Sequence, residues 1–94
     1  NFNGTLKTIM ENPDKPGEGR LAMVEAGTGQ EVHFNYDKNG STQLYLDFDA
    51  LQPGDELNIF HRGAYTRSLP PQGFALEVRP YAHLEESSAA QTAQ

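Results

Sequence analysis

Over much of the chain, apolar side chains recur at every second position. Phe74, Leu76 and Val78 alternate with Ala75, Glu77 and Arg79, which predicts a half-buried strand. Leu57 and Ile59 alternate with Glu56 and Asn58 in another. Val32, Phe34 and Tyr36 alternate with Glu31, His33 and Asn35 in a third. Leu21 and Met23 face one way, Arg20 and Ala22 the other. A further strand is expected from about Phe2 to Met10, with Leu6 inward. Turn signals separate these runs. Asn12-Pro13-Asp14-Lys15-Pro16-Gly17 reads as a loop, because its prolines lack a donor and Gly17 permits positive φ. Gly27-Thr28-Gly29 and Asp37-Lys38-Asn39-Gly40 read as turns, and Pro70-Pro71-Gln72-Gly73 as the close of the last hairpin. Gln52-Pro53-Gly54-Asp55 has Pro and Gly at the central positions of a type II turn. Five strands joined by such turns predict an all-β fold. A barrel is preferred to a sandwich, since a small chain has to remove its exposed edges. The segment Ser41 to Leu51 reads two ways. Leu44, Leu46 and Phe48 alternate like a strand, while Asp47 to Leu51 fits one helical turn.

The ending, Glu85 to Gln94, has no large apolar side chain to offset its ordering entropy by burial. The expected division is a folded unit over residues 1–84 and a disordered tail over 85–94; the Ala and Gln content of the tail gives a helix as the competing reading. No apolar run is long enough to span a bilayer. The chain opens Asn1-Phe2-Asn3-Gly4, without the basic and apolar regions of a signal peptide, so a cytoplasmic location is expected. A processed start would look the same. The sequon matches Asn3-Gly4-Thr5 and Asn39-Gly40-Ser41 carry weight only in a secretory context.

Of the 94 residues, none is Cys. That excludes disulfide frameworks, thiolate metal sites and thiol nucleophiles. Thirteen acids against seven bases leave a net charge of −6, which removes the usual global attraction to nucleic acid.

Several short segments, in order, resemble the cold-shock domain family. Gly4-Thr5-Leu6-Lys7 resembles that family's first-strand start, G-[TI]-V-K. Asp14-Lys15 followed by Gly17-Glu18-Gly19-Arg20-Leu21 resembles its D-K-G-F-G-F-I. Val32-His33-Phe34 matches its V-H-F at the same spacing from Leu21. Leu51-Gln52-Pro53-Gly54-Asp55-Glu56-Leu57 is similar to its entry to the fourth strand. Gly73-Phe74-Ala75-Leu76-Glu77-Val78-Arg79-Pro80 is similar to its final strand, with slightly shifted spacing. The resemblance covers residues 4–80. It implies a five-stranded antiparallel OB-type barrel that stacks single-stranded nucleic acid on outward aromatics, each stack worth about 1–3 kcal/mol.

The chain departs from that pattern where the bases would stack. Thr8 and Ile9 replace an aromatic pair, Glu18 and Arg20 replace the two phenylalanines of G-F-G-F, and Glu31 replaces another aromatic. Only Lys7, His33 and Phe34 match the family's binding residues. If the alignment holds, Glu18, Arg20, Glu31 and His33 share one face, with Arg20 and Glu31 expected as an ion-paired cross-strand couple. Unrelated surface charges are the competing reading. His33 is read either as an inherited contact or as a partner of Glu31 or Glu18. Phe34 and Tyr36 either border the patch or belong to the core.

Residues 57–76 contain no Asp or Glu, yet hold His61, Arg62, Tyr65 and Arg67. Such a stretch can attract phosphate even on an acidic domain, because screening limits exposed charges to about 10 Å at 0.1 M salt. The candidate nucleic-acid-binding residues are therefore Lys7, Arg20, His33, Phe34, His61, Arg62, Tyr65 and Arg67. A mobile hairpin loop with solubilising arginines is the competing reading of the last four. His33, His61 and His83 share no ligand spacing, and Asp47, Asp49, Asp55 and Glu56 read as a solvated acidic turn before a metal site. Asp37-Lys38-Asn39-Gly40 lacks the closing Glu of a calcium loop. Neither glycine pair, Gly17-x-Gly19 nor Gly27-x-Gly29, opens a dinucleotide fold. No nucleophile elbow is present. The expectation is a non-enzymatic domain without cofactor or metal. It binds single-stranded RNA or DNA weakly on a remodelled surface, or has lost that activity and meets a protein partner.

Overall fold

The computed structural model describes residues 1–81. The expected tail over 85–94, and His83, lie outside them. Seven strands form one sheet: β1 (Phe2–Glu11), β2 (Glu18–Glu25), β3 (Glu31–Asp37), β4 (Gln43–Leu44), β5 (Glu56–Phe60), β6 (Gln72–Phe74) and β7 (Glu77–Pro80). Their order is β4-β7-β5-β1-β2-β3-β6. The all-β expectation holds. β1, β2 and β3 form an antiparallel meander, and β5 lies antiparallel on the other side of β1. Both readings of Ser41–Leu51 contain part of the outcome. β4 pairs with β7, and a 3₁₀ turn then runs over Phe48–Ala50, capped by the Asp47 carboxylate, which accepts from the Asp49 N–H at 3.2 Å. The type II turn also forms: the Asp55 N–H reaches the Gln52 carbonyl at 3.1 Å, with Gly54 at φ +99°.

The last expected strand is two strands. β6 runs parallel to β3, whereas β7 runs antiparallel to β5. The change of partner takes two residues. The Ala75 N–H donates to the Asn35 carbonyl at 2.9 Å, and the Leu76 N–H to the Phe60 carbonyl at 2.8 Å. The period of two breaks there. Gly73, Ala75 and Val78 are buried, and Phe74, expected inward, is turned out with 38% of its surface exposed. Uninterrupted alternation assumes one continuous set of ladder partners, and this segment has two.

The core is built from the inward sides of β1, β2, β3, β5 and β7. Leu6, Leu21, Met23, Phe34, Leu57, Ile59 and Val78 are all at most 1% exposed. The Phe2 and Phe34 rings meet edge to face with centroids 4.8 Å apart. Gly4 lets Phe2 pack across β1, since a Cβ there would collide with the Val24 carbonyl and lie 2.7 Å from the Phe2 ring. Asn58, expected outward, is buried, and its amide donates to the Asn3 side-chain oxygen, as a buried polar group requires. Phe34→Ala is expected to cost about 3–5 kcal/mol, measured as a lower urea midpoint at unchanged m-value.

Candidate nucleic-acid interface

The outward face of β1, β2, β3 and β6 is set by two cross-strand rows. Thr8, Ala22, His33 and Gln72 stand opposite one another in one, and Met10, Arg20, Asn35 and Phe74 in the next. A bulge in β1 interrupts the register between Leu6 and Thr8, so Lys7 and Thr8 are both exposed. That extra residue carries the Lys7 ammonium to Glu31, 2.9 Å away. The other Glu31 oxygen lies 2.6 Å from His33 Nε2. The two hydrogen bonds, Lys7's first, hold the Glu31 carboxyl below its ordinary value of 4.5.

Glu31 and Arg20 lie on the same face but are not cross-strand neighbours. Arg20 pairs with Asn35, and Glu31 with Val24. Four residues along a strand separate Arg20 from the position opposite Glu31, roughly 13 Å, which is too far for the expected ion pair. The charge network on this face is instead Lys7–Glu31–His33. His33 is only 7% exposed, with its Nδ1 buried and without a hydrogen-bond partner. A proton on Nε2, donated to Glu31, leaves no N–H buried without a partner on Nδ1. Lys7 and His33 therefore share one carboxylate, that of Glu31.

Of the expected aromatic contacts, Phe34 turns inward, while Tyr65 keeps 42% of its surface exposed. Phe34 is 0% exposed and offers no face to a base, and Tyr36 is buried against Phe48 with centroids 4.9 Å apart. His61 and Tyr65 close over Phe34. Their rings stack at 5.0 Å and 25°, with His61 5.3 Å and Tyr65 6.1 Å from the Phe34 ring. Gly73 makes room for this plug, since a Cβ there would come within 3.1 Å of the Tyr65 ring and 3.2 Å of Phe34. His61 Nδ1 accepts the Gly63 N–H at 2.9 Å, which leaves the ring proton on Nε2, 3.2 Å from the Tyr65 hydroxyl. Burial pushes the His61 pKa below its ordinary 6.5 and the Tyr65 pKa above 10.0.

Three predicted cations remain open. Arg20, Arg62 and Arg67 have no carboxylate within ion-pair distance among the described residues. Phe74, not among the predicted site residues, links two of them. It lines a cleft of about 450 Å³ with Met10, Arg20 and Asn35, and a second of about 300 Å³ with Ser41, Arg62 and Leu76. Glu11 and Glu18 also line the first cleft. The signal that marks Phe74 in the sequence is Gly73-x-Ala75. Two small residues two apart suit the crowded side of a strand and leave the residue between them facing out. Among the described residues, no three His, Asp or Glu side chains gather as metal ligands would.

Because the folded His61 pKa lies below the unfolded one, its neutral ring favours folding fully above about pH 6.5. That contribution falls as pH drops from 6.5 toward the folded value. The expected outcome is a urea midpoint that declines over this interval, with His61→Phe declining less. Glu31 acts at lower pH. Its depressed pKa favours folding above about 4.5, a contribution lost as pH falls through the folded value.

No family model, curated protein or solved structure matches this chain.

Proposed function

We propose that this chain is a small non-catalytic binding domain of the cold-shock type of OB barrel. It binds single-stranded nucleic acid weakly along a path over Arg20, Phe74 and Arg62. The observation that carries this reading is the exposed Phe74 ring, lining clefts with Arg20 on one side and Arg62 on the other. An aromatic face between two cations suits a stacked base with flanking phosphates. The barrel assignment draws support from the two partners of residues 72–80. That segment lies beside β3 at one end of the meander and beside β5, which is itself paired to β1. Closure of the barrel through this segment is part of the proposal.

The chemistry also predicts weakness. Lys7 is neutralised by Glu31, Phe34 is unavailable, and one stack has to do what several do in the family that the chain resembles. Two phosphate contacts to a single strand give a slope of log K against log salt of about −1.4. Glu11 and Glu18 favour a second reading, a protein-interaction module. A cleft carrying both signs of charge beside Met10 suits a peptide better than a polyanion.

The test is an NMR titration with mixed-sequence single-stranded DNA and RNA at low and high salt. Phe74 and its neighbours are expected to shift, and the shifts to fade with salt. Phe74→Ala should weaken binding roughly 5- to 150-fold, the equivalent of one stack. Arg20→Glu and Arg62→Glu should each reduce binding, while Lys7→Ala should leave it nearly unchanged. No shifts at low salt would remove this reading and leave the protein-partner one.

A further inference from the structure

A groove of about 600 Å³ lies on another part of the molecule, beside Pro80 and the start of β5. Leu46, Leu51 and Pro80 supply half-buried apolar lining. Asp47, Asp55 and Glu56 supply carboxylates, and no Lys or Arg lines it. Asp47 and Asp55 each use an oxygen to accept a backbone N–H, from Asp49 and Gln52, so both are held in place. Glu56 is exposed and makes no ion pair among the described residues. Such a groove fits an apolar side chain accompanied by a positive charge.

The same chain displays that combination elsewhere. Between β5 and β6, Leu69 stands 93% exposed, two residues from Arg67. This tip is held by its own hydrogen bonds. The Thr66 N–H donates to the Gln72 carbonyl at 2.8 Å, the Gln72 N–H to the Thr66 hydroxyl at 3.0 Å, and the Ser68 hydroxyl to the Pro70 carbonyl at 2.9 Å. A tip already ordered loses little entropy on docking. The groove adjoins Glu56 at one end of β5 and the loop leaves from His61 at the other, five residues or roughly 16 Å away. Tip and groove therefore stand apart within one molecule but are free to meet between two. The chain's own ending carries Glu85 and Glu86 with no Lys or Arg, so its charge repeats that of the rim.

We propose that the β5–β6 loop tip of one copy, through Arg67 and Leu69, docks into the acid-rimmed apolar groove beside Pro80 of a second copy. The contact joins two different surfaces, so it is heterologous. It is independent of the Phe74 path and survives if that path binds nothing.

Sedimentation velocity at low salt, from micromolar to millimolar protein, tests it. The wild-type mass is expected to rise above that of the monomer with concentration, and the rise to shrink in high salt. Glu56→Lys, Arg67→Glu and Leu69→Ser should each remain monomeric while keeping a dispersed NMR spectrum. Mixing Glu56→Lys with Arg67→Glu in equal amounts should restore association, because each contact then joins opposite charges. A wild type monomeric throughout would overturn the proposal. So would variants that associate like the wild type, or a groove that takes an unrelated basic apolar peptide while the chain stays monomeric.

Discussion

The last strand segment has to satisfy backbone groups on two strands at once, and most of the molecule's surface chemistry follows from that. The Ala75 and Leu76 N–H groups donate to β3 and β5 respectively. To change partner in two residues the chain abandons its alternation. Gly73 and Ala75 go in, Phe74 comes out, and Val78 returns inward at β7. Gly73 gives the Tyr65 ring room over Phe34, where a Cβ would sit 3.1 Å from Tyr65 and make it shift. The loop can then fold its two rings, His61 and Tyr65, over the core end and leave its cations, Arg62 and Arg67, outside. The one exposed phenylalanine on the β3–β6 side and the arginines around it are thus consequences of a single kink.

The opposite side of the same face is governed by the β1 bulge. One extra residue lets Lys7 reach Glu31, and Glu31 in turn engages His33. A lysine and a histidine that would otherwise offer contacts are spent on an internal network. The effect on function is one of position. Net charge of −6 is distributed so that Glu31 ties up Lys7 and His33 on the β1–β3 face, while the acid-free stretch 57–76 supplies Arg62, Arg67 and Phe74.

Much of this was legible in the sequence where the physics is local. Period-two alternation located β2, β3 and β5, whose own backbones carry no bulge, while it placed β1 around Leu6 without its bulge. Pro53-Gly54 specified its turn through φ preferences alone. The sharing of a face by Arg20, Glu31 and His33 also followed from alternation. Register did not. The bulge at Lys7 and the pairing of Arg20 with Asn35 depend on how strands slide past one another, which composition does not encode. The outward turn of Phe74 is hinted at only by its small neighbours Gly73 and Ala75, since a large aromatic in phase with Leu76 and Val78 reads as core unless the partner change at Ala75 is known. His61 and Tyr65 read as contact residues because a loop gives no periodicity from which to infer that two rings pack over Phe34.

On the proposed path the kinked segment offers Phe74 to ligand, while Phe34 stays shut away beneath His61 and the half-exposed Tyr65 ring. Paramagnetic relaxation of aromatic ring protons by a soluble gadolinium chelate, with and without a single-stranded oligonucleotide, tests that most directly. Strong relaxation of Phe74 is expected in the free protein and protection of it in the complex, with Phe34 weakly relaxed in both. Strong relaxation of Phe34, or oligonucleotide protection at His61 and Tyr65 with none at Phe74, would contradict it.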